Sequence, residues 1–298
     1  MNKELAARLG PARLPFLLLP PVCVALGYAT ASRENVFIPI SSVIFALIGA
    51  IASHISVNAF NEYFDFRSTL DAKTTRTPFS GGSGTLQRRP ELAEWALWLA
   101  ISSALITAAI GIYFTFKSGP GILPLGIAGL IVVITYSVWA VHNPLLCLIF
   151  PGLGFGPCMV IGTHFVLTRH YSWSAAIASL IPFFLVNNLL LLNQFPDLEA
   201  DHSVGRKNLP VIAGLKTSAL VFALFIVFAY MAIAVGVLLG LLPALSFIGT
   251  ATILLSIPAV IGAFKNNNNI PKLIPAMGLN VVINLATPLL VAVGIFWG

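Results

Sequence analysis

Long apolar runs separated by short polar segments follow one another along the whole chain. A helix needs about 20 mostly apolar residues to cross the hydrocarbon core of a bilayer, and these runs reach that length. Continuous apolar runs favour spanning helices over a membrane β-barrel, whose pattern is a weaker alternation. The pattern predicts an all-α membrane protein, with about nine transmembrane helices bundled in one domain over residues 1–298. The predicted spans lie near residues 14–32, 37–60, 92–116, 121–141, 145–167, 174–195, 217–240, 242–263 and 272–296.

The composition supports this prediction and excludes a soluble domain. The chain is 58% hydrophobic and 9% charged, with a mean hydropathy of +0.94, whereas a soluble domain carries about 25% charged residues. The net charge of +6 fits a membrane protein with basic cytoplasmic loops, and it gives no reason to expect a nucleic-acid partner.

The basic residues are distributed unevenly between the two sides of the predicted spans. Thirteen of the 16 fall on the side that holds the N-terminus and the loops 61–91, 196–216 and 264–272. Because basic loops stay on the cytoplasmic side, we expect a multi-pass protein with its N-terminus in the cytoplasm and its C-terminus outside. We expect it in a prokaryotic plasma membrane.

The acidic residues are concentrated in two loops on that same side. Only ten acids occur in the chain, and eight of them lie in or beside these two loops. A general preference of acids for loops explains why they avoid span interiors, but not why they gather in two loops. The eight residues are Glu62, Asp65, Asp71, Glu91, Glu94, Asp197, Glu199 and Asp201.

The two acidic loops repeat one spacing. Each opens N-x-x-x-D, once in NEYFDFRSTLD and once in NQFPDLEAD, so that the Asn and the Asp share a helix face. Each loop then has a second Asp and, a little further on, a basic residue. Oxygen ligands in this arrangement suit Mg²⁺, which proteins commonly hold with one or two carboxylates plus substrate phosphates. The alternative for each loop alone is a salt-bridged loop at the membrane surface.

Two such clusters facing one another would hold metal ions about a shared anion. A diphosphate fits that role, and the apolar surroundings indicate that it carries a lipid tail. The pattern therefore predicts metal-assisted ionisation of an allylic diphosphate, with a hydrophobic cavity that shelters the carbocation from water.

These motifs resemble those of a known family. The segments NEYFDFRSTLD, TRTPFSGGSGTL and LNQFPDLEADHSVGRKNLPV are similar to the two aspartate-rich motifs of the UbiA superfamily of intramembrane prenyltransferases. The first motif is more similar to the 1,4-dihydroxy-2-naphthoate branch, which makes menaquinone precursors, than to the 4-hydroxybenzoate branch. The resemblance implies a helical bundle around a central cavity that opens laterally to lipid. It also implies Mg²⁺, a prenyl diphosphate donor and an aromatic acceptor.

The resemblance assigns roles to particular residues. It implies four catalytic acids, which are Asp65, Asp71, Asp197 and Asp201. These acids would hold the metal together with Asn61 and Asn193. The basic residues that fall where family members contact diphosphate are Lys73, Arg76, Arg206 and Lys207. It also favours FSGGSG (79–84) as a cap over the site, although the sequence itself fits a flexible loop equally well.

Two further residues are candidates for the cavity. His54 lies seven residues before Asn61, two helical turns deeper on the same face, where it could touch the acceptor hydroxyl. The alternative is a histidine hydrogen-bonded to a neighbouring helix. Tyr136 could stabilise the carbocation through its ring face. The polar residues Asn187, Asn188, Asn280 and Asn284 inside spans fit interhelical hydrogen bonds.

One segment departs from the family pattern. Related proteins carry a basic loop with Gly-Glu after the fourth span, where this chain reads YSVWAVHNPLLCLIFPGLGFGP. Tyr136, Ser137 and GFGP (154–157) remain, and His142 and Asn143 are the polar residues left between them. That loop lies near the acceptor in the family, which leaves a first alternative open, and the acidic loops leave a second. One is an isoprenoid cyclase or a prenyltransferase acting on a non-aromatic lipid, and the other is a cation or lipid transporter.

Overall fold

The computed structural model describes residues 3–34 and 36–298, and within them the chain is helical, with no strand. Short 3₁₀ segments open several of the helices, and a π-helical segment, Gly154–Ile161, interrupts one membrane crossing. The α-helices are α1 Lys3–Leu9, α2 Leu19–Ser32, α3 Ile40–Arg67, α4 Leu70–Lys73, α5 Thr85–Arg88, α6 Ala93–Ser118, α7 Leu123–Thr135, α8 Pro144–Leu153, α9 Gly162–Thr168, α10 Trp173–Asn193, α11 Leu198–Ser203, α12 Leu209–Leu238, α13 Ile253–Lys265 and α14 Ile270–Trp297.

The prediction of an all-α membrane protein is confirmed. In the described part of the chain, eight helical stretches are long and apolar enough to cross a bilayer, and a ninth, Pro120–Thr135, is shorter. This ninth stretch is the predicted span 121–141, which ends early because the chain turns at Tyr136 into the 3₁₀ segment Ala140–His142.

Two helices extend beyond their predicted spans. The helix α3 continues past residue 60 to Arg67, so its last turns carry the first residues of the acidic motif. The helix α12 begins at Leu209 and not near residue 217. It is broken at Gly214, whose φ of 80° lies in the left-handed region that glycine adopts without steric cost.

The helix α10 is the centre of the bundle. It packs against α2, α8, α12 and α14. Two thirds of its apolar stretch is buried inside the protein, which is the largest share among the eight candidate spans. Gly152 and Gly156 let the neighbouring crossing approach it closely. A Cβ at Gly152 would lie 2.2 Å from Phe183 O, and one at Gly156 would lie 2.4 Å from Ser179 O. Small residues four apart are a common way to bring two membrane helices together.

Polar side chains also tie α10 to its neighbours, as predicted for the buried asparagines. Asn188 donates to Phe222 O of α12 (2.8 Å), and Asn280 of α14 donates to Asn188 O (3.2 Å). Asn187 accepts from the backbone N–H of Gly152 (2.6 Å). Asn284 instead donates to Asn280 O within its own helix (2.9 Å). The bonds between helices orient α10, whose C-terminal end leads into the second acidic motif.

Candidate active site

A cavity of about 420 Å³ lies between α3, α6, α7 and the crossing formed by α8, Gly154–Ile161 and α9. Its wall is mainly apolar, and its polar end is lined by Arg13, Asn61 and Tyr136. His54 lines the cavity deeper along α3, with its ring edge-on to Phe155 at 4.9 Å between centroids. The Nδ1 atom of His54 is buried and has no hydrogen-bond partner among the described residues.

The first acidic motif lies beyond this polar end. Asn61 and Asp65 are one turn apart near the end of α3, and a turn through Thr69 (φ 61°) brings α4 and Asp71 back beside them. Both aspartates are buried. Gln87 Nε2 donates to Asp71 Oδ2 (2.7 Å). Burial, followed by the charges of Asp65 and Glu62, raises the pKa of Asp71 to about 6.

A buried glutamate joins this motif to two other segments. Glu62 is fully buried, and Arg13 donates to it from Nε (3.0 Å) while Nη2 of the same arginine donates to Asn61 Oδ1 (2.9 Å). The backbone N–H and the hydroxyl of Ser83 also donate to Glu62. The glutamate therefore holds the N-terminal segment and the loop 79–84 against the end of α3.

Glycine is required where that loop passes over the carboxylates. Gly82 has a φ of 68°, and a Cβ there would lie 2.9 Å from Asp71 Oδ2 and 3.1 Å from Glu62 Oε1. Arg76 bonds to the carbonyl oxygens of Gly81 and Gly82 (both 3.0 Å). The segment FSGGSG thus lies against the first motif, with its backbone held by its own arginine.

The second acidic motif begins at the end of α10. Asn193 is the last residue of α10, Asp197 follows in the turn, and Asp201 lies on the short helix α11. Asn208 Nδ2 donates to Asp201 Oδ2 (2.6 Å). By contrast, Asn193 Oδ1 and Asp197 Oδ1 are buried and accept no hydrogen bond from the described residues.

Electrostatics distinguish the acids of this second motif. Burial, followed by the neighbouring charge of Asp201, raises the pKa of Asp197 to about 8. Burial also raises the pKa of Asp201, although Arg206 and Asn208 oppose that shift. The protonated form of Asp197 is favoured because its charge would be buried beside another carboxylate.

Arg206 brings the two motifs together. Its guanidinium forms a close ion pair with Asp65 and a second, at 3.3 Å, with Asp201, and only 16% of its side chain is exposed. Burial alone would lower its pKa, but these two carboxylates hold the pKa of Arg206 above its usual range. The two loops of similar spacing therefore face each other across one arginine.

The other predicted basic residues lie outside this ion-pair cluster. Lys73 and Lys207 are exposed, and Arg76 is bonded to its own loop. The backbone N–H of Lys207 donates to Val141 O (3.1 Å), which connects the second motif to the segment that departs from the family pattern. In that segment Asn143 caps the start of α8.

Sequence reasoning missed three residues that contact the motifs, namely Arg13, Gln87 and Asn208. Arg13 is 49 residues from Glu62 along the chain, and Gln87 is 16 residues from Asp71. No local spacing indicates such contacts. The one available signal was that Glu62 directly follows Asn61, so a buried glutamate there would need a basic partner.

The donor set fits a divalent cation. Buried acceptor oxygens without a donor are costly, and a cation is one way to satisfy them. Asn193 Oδ1 and Asp197 Oδ1 are such acceptors, and besides burial the charges of Asp201 and Asp65 raise the pKa of Asp197. Oxygen ligands of this kind are typical of Mg²⁺.

Comparison with known proteins gives two sequence relatives and a family match. The sequence profile of the UbiA prenyltransferase family matches residues 18–273. A 1,4-dihydroxy-2-naphthoate octaprenyltransferase of Bacillus subtilis (strain 168) is 26% identical over 255 residues, which is 84% of this chain and 79% of that one. A digeranylgeranylglyceryl phosphate synthase of Pyrococcus furiosus is 28% identical over 200 residues, which is 62% of this chain and 63% of that one.

Solved structures share the fold. A UbiA homolog from Aeropyrum pernix K1, solved in its apo form, superposes with a TM-score of 0.69 at 19% identity, over 93% of this chain and 96% of that one. A UbiA homolog from Archaeoglobus fulgidus, solved with GPP and Mg²⁺, gives a TM-score of 0.60 at 16% identity, over 96% and 99% of the two chains. The helical bundle described above is thus the fold of these proteins.

Proposed function

The chain belongs to the UbiA prenyltransferase family, and on that premise we propose that it transfers a prenyl group from a prenyl diphosphate with the help of Mg²⁺. The observation that carries the proposal is the pair of unpartnered buried acceptors, Asn193 Oδ1 and Asp197 Oδ1, in a motif whose Asp201 shares Arg206 with Asp65 of the other motif. The proposed metal ligands are Asn61, Asp65, Asp71, Asn193, Asp197 and Asp201.

These residues would act by binding and positioning the diphosphate. The chemistry that bound Mg²⁺ supplies is neutralisation of the charge that develops on the departing diphosphate. Arg206 already lies between Asp65 and Asp201, and its planar fork can contact phosphate oxygens bidentately once anions enter. Arg13 holds Asn61 in place through Nη2. Lys73, Arg76 and Lys207 are the further proposed contacts to diphosphate.

The cavity is the proposed binding site for the isoprenoid. It adjoins the first motif through Asn61, and its walls are apolar, which excludes water from a carbocation. Ile112 of α6 and Ile127 of α7 line it and are more than half exposed, which supports an opening to lipid between these helices. Tyr136 at the polar end would present its ring face to the cation.

The proposed acceptor is an aromatic quinone precursor such as 1,4-dihydroxy-2-naphthoate. The named Bacillus subtilis relative supports this choice. His54 supports it as well, because its buried Nδ1 has no partner and lies in the cavity wall, where it can bond to a hydroxyl. The second candidate is transfer to a non-aromatic lipid. The Pyrococcus furiosus synthase favours it, as does the absence of a basic loop between Tyr136 and Gly154.

We also propose that the end of the bundle that carries both acidic motifs faces the cytoplasm, together with the N-terminus. The bias of 13 basic residues to that side supports this orientation. Single cysteines introduced in the loops 61–91 and 264–272 of a variant without native cysteines would be expected to resist impermeant thiol reagents in intact cells. Labelling of those loops from outside the cell would show that the protein has the opposite orientation.

The test is product analysis with purified protein in detergent. Prenyl diphosphates of several lengths are offered with Mg²⁺ or with a chelator, alone and with dihydroxynaphthoate, hydroxybenzoate or a glyceryl phosphate lipid. We expect Mg²⁺-dependent prenylation of dihydroxynaphthoate. Prenylation of the lipid instead would select the second candidate, and a cyclic hydrocarbon formed without acceptor would indicate a cyclase. Folded protein that releases no diphosphate from any donor would contradict the proposal, and Mg²⁺ flux in liposomes would then support a transporter.

A further inference from the structure

A second group of titratable side chains lies at the opposite end of the bundle. Glu34 follows α2, His164 lies in α9, and His170 precedes α10. The helix α10 separates His170 from Asn193, and its 21 residues rise about 30 Å. The group is therefore remote from the carboxylates of the proposed active site, and we name it the histidine cluster.

The three side chains converge on one point. His164 Nε2 is 3.8 Å from Glu34 Oε1, and His170 Nε2 is 3.4 Å from Glu34 Oε2. One ligand atom from each residue lies within 4.8 Å of the other two. The two rings are perpendicular, with centroids 5.7 Å apart. His164 is fully buried, and its Nε2 has no hydrogen-bond partner among the described residues.

Hydrogen bonds at the far side of each ring determine which nitrogen is free. Thr30 Oγ1 donates its one hydrogen to Gly27 O (2.8 Å), so it accepts from His164 Nδ1–H (3.0 Å). Thr168 O is a carbonyl and accepts from His170 Nδ1–H (3.2 Å). In the neutral rings both Nε2 atoms therefore carry lone pairs, and both point at the Glu34 carboxylate.

Lone pairs facing a carboxylate repel one another unless a cation lies between them. We propose that the histidine cluster binds a borderline divalent metal of the Zn²⁺ class through His164 Nε2, His170 Nε2 and the Glu34 carboxylate. Zn²⁺ bonds of about 2.0–2.1 Å at tetrahedral angles place neighbouring ligand atoms roughly 3.3 Å apart. The two separations between histidine nitrogen and Glu34 oxygen, 3.4 and 3.8 Å, are near that value, and a small inward movement of the side chains would complete the site. Two imidazoles and one carboxylate with an open fourth position are a known zinc ligand set.

The surroundings of the histidine cluster match those of metal sites. Ligating histidines commonly donate their second ring N–H to a carbonyl or another acceptor, which fixes the ring and the tautomer. Thr30 and the carbonyl of Thr168 fill that role here. A metal would connect the end of α2 to the segment between α9 and α10, so Thr30 is a positioning residue and the metal is a clasp between two crossings.

The test uses full-length protein purified in detergent with a tag that lacks histidine, stripped with chelator and then held in millimolar Mg²⁺. Cobalt(II) is the probe, because a tetrahedral site gives it strong visible absorption. We expect one Co²⁺ per chain, displaced by Zn²⁺. Binding should be lost in His170→Ala and in Glu34→Gln. Thr30→Val, which keeps the shape but cannot accept a hydrogen bond, should weaken binding by about 10- to 100-fold.

Two matched variants show whether the Co²⁺ absorption comes from the histidine cluster. His142→Ala removes an exposed histidine near the acidic motifs, and Asp197→Asn alters the proposed Mg²⁺ site; both should bind Co²⁺ as the unmodified protein does. The proposal is overturned if the unmodified protein gives no tetrahedral Co²⁺ spectrum, or if His170→Ala and Glu34→Gln bind as well as it does. Glu34 and the histidines would then form a protonated ion pair only. Loss of binding in Asp197→Asn would assign the metal to the acidic motifs instead.

Discussion

The two acidic motifs share the N-x-x-x-D spacing but have different partners. In the first, Asn61 bonds to Arg13 and Asp65 pairs with Arg206. In the second, the corresponding oxygens of Asn193 and Asp197 are buried without a donor from the described residues. The last aspartates of the two motifs are alike, because each accepts a hydrogen bond from a side-chain amide: Asp71 from Gln87, and Asp201 from Asn208.

This difference separates two ways of stabilising buried carboxylates. In the first motif, Arg13 bonds to Asn61 and Arg206 pairs with Asp65, so these two residues have partners without a ligand. In the second, Asp201 shares Arg206 with the first motif, but Asn193 Oδ1 and Asp197 Oδ1 have no donor among the described residues. Burial, followed by the charge of Asp201, raises the pKa of Asp197 to about 8. We infer that the second motif depends more strongly on the metal than the first.

The largest effect should come from removing the carboxylates. Asp65→Ala, Asp71→Ala, Asp197→Ala and Asp201→Ala should each lower kcat by at least roughly 10²- to 10³-fold, the usual cost of losing one preorganised electrostatic group. Circular dichroism and gel filtration would show whether each variant is folded. A folded variant with near-normal turnover would remove that residue from the metal ligands.

The carboxylate variants also test the asymmetry between the motifs. Asp197→Asn should raise the Mg²⁺ concentration needed for half-maximal rate more than Asp65→Asn does, because Asp65 is already paired with Arg206. Titration of activity with Mg²⁺ measures this directly. Equal shifts in the two variants would mean that the motifs contribute equally to metal binding.

The next effect should come from breaking the connection between the motifs. Arg206→Ala leaves Asp65 and Asp201 without their shared cation, and breaking a buried ion pair typically costs about 3–5 kcal/mol. Thermal unfolding in detergent should show a lower Tm, with kcat/KM reduced as well. Arg206→Lys keeps the charge but loses the planar guanidinium, so its Tm and kcat/KM should lie between those of the unmodified protein and those of Arg206→Ala. A normal Tm in Arg206→Ala would mean that the arginine does not stabilise the free protein.

The fold was predictable from sequence to the level of its spans, because continuous apolar runs report directly on burial in lipid. The repeated N-x-x-x-D spacing likewise predicted two motifs that the structure brings to one arginine. The partners of those motifs were not predictable. Arg13 reaches Glu62, and Thr30 reaches His164, across 49 and 134 residues, and such contacts depend on how whole helices pack.

The directions of the basic side chains could not be predicted from the sequence either. Lys73, Arg76 and Lys207 have the right charge and position in the chain, but side-chain direction decides whether they face the carboxylates. Arg76 bonds to its own loop, and the two lysines are exposed. The contacts of Lys73, Arg76 and Lys207 with diphosphate therefore stay a prediction.

A smaller effect should follow from crowding the first motif alone. Gly82→Ala places a Cβ 2.9 Å from Asp71 Oδ2 and strains a backbone at φ 68°. Left-handed strain costs about 1–2 kcal/mol on its own. Gly240→Ala is the matched control, since its φ is 69° and nothing lies within 4 Å of the added Cβ. Strain should lower the Tm of both variants by a similar amount, and Gly82→Ala alone should also have lower activity. Equal activity in the two would mean that the loop does not position Asp71.

A pH dependence of stability in the metal-free protein should also follow from the buried acids of the two motifs. The pKa of Asp197 is raised to about 8, and that of Asp71 to about 6, from an ordinary value of about 3.9. The folded protein therefore binds more protons than the unfolded chain, and this contribution to stability is lost as the pH rises. Asp71→Asn should flatten the fall of Tm between about pH 4 and 6, whereas Asp197→Asn should flatten it up to about pH 8.

The same pH series with Mg²⁺ separates the two motifs further. Mg²⁺ binds the deprotonated carboxylates, so its stabilising effect should grow with pH and should grow more where Asp197 is intact. Measuring Tm from pH 5 to 9, with and without Mg²⁺, for the unmodified protein and both variants completes the comparison. If Asp71→Asn and Asp197→Asn give identical slopes, the two motifs hold their acids in equivalent environments, and the asymmetry inferred from the unpartnered oxygens of the second motif is wrong.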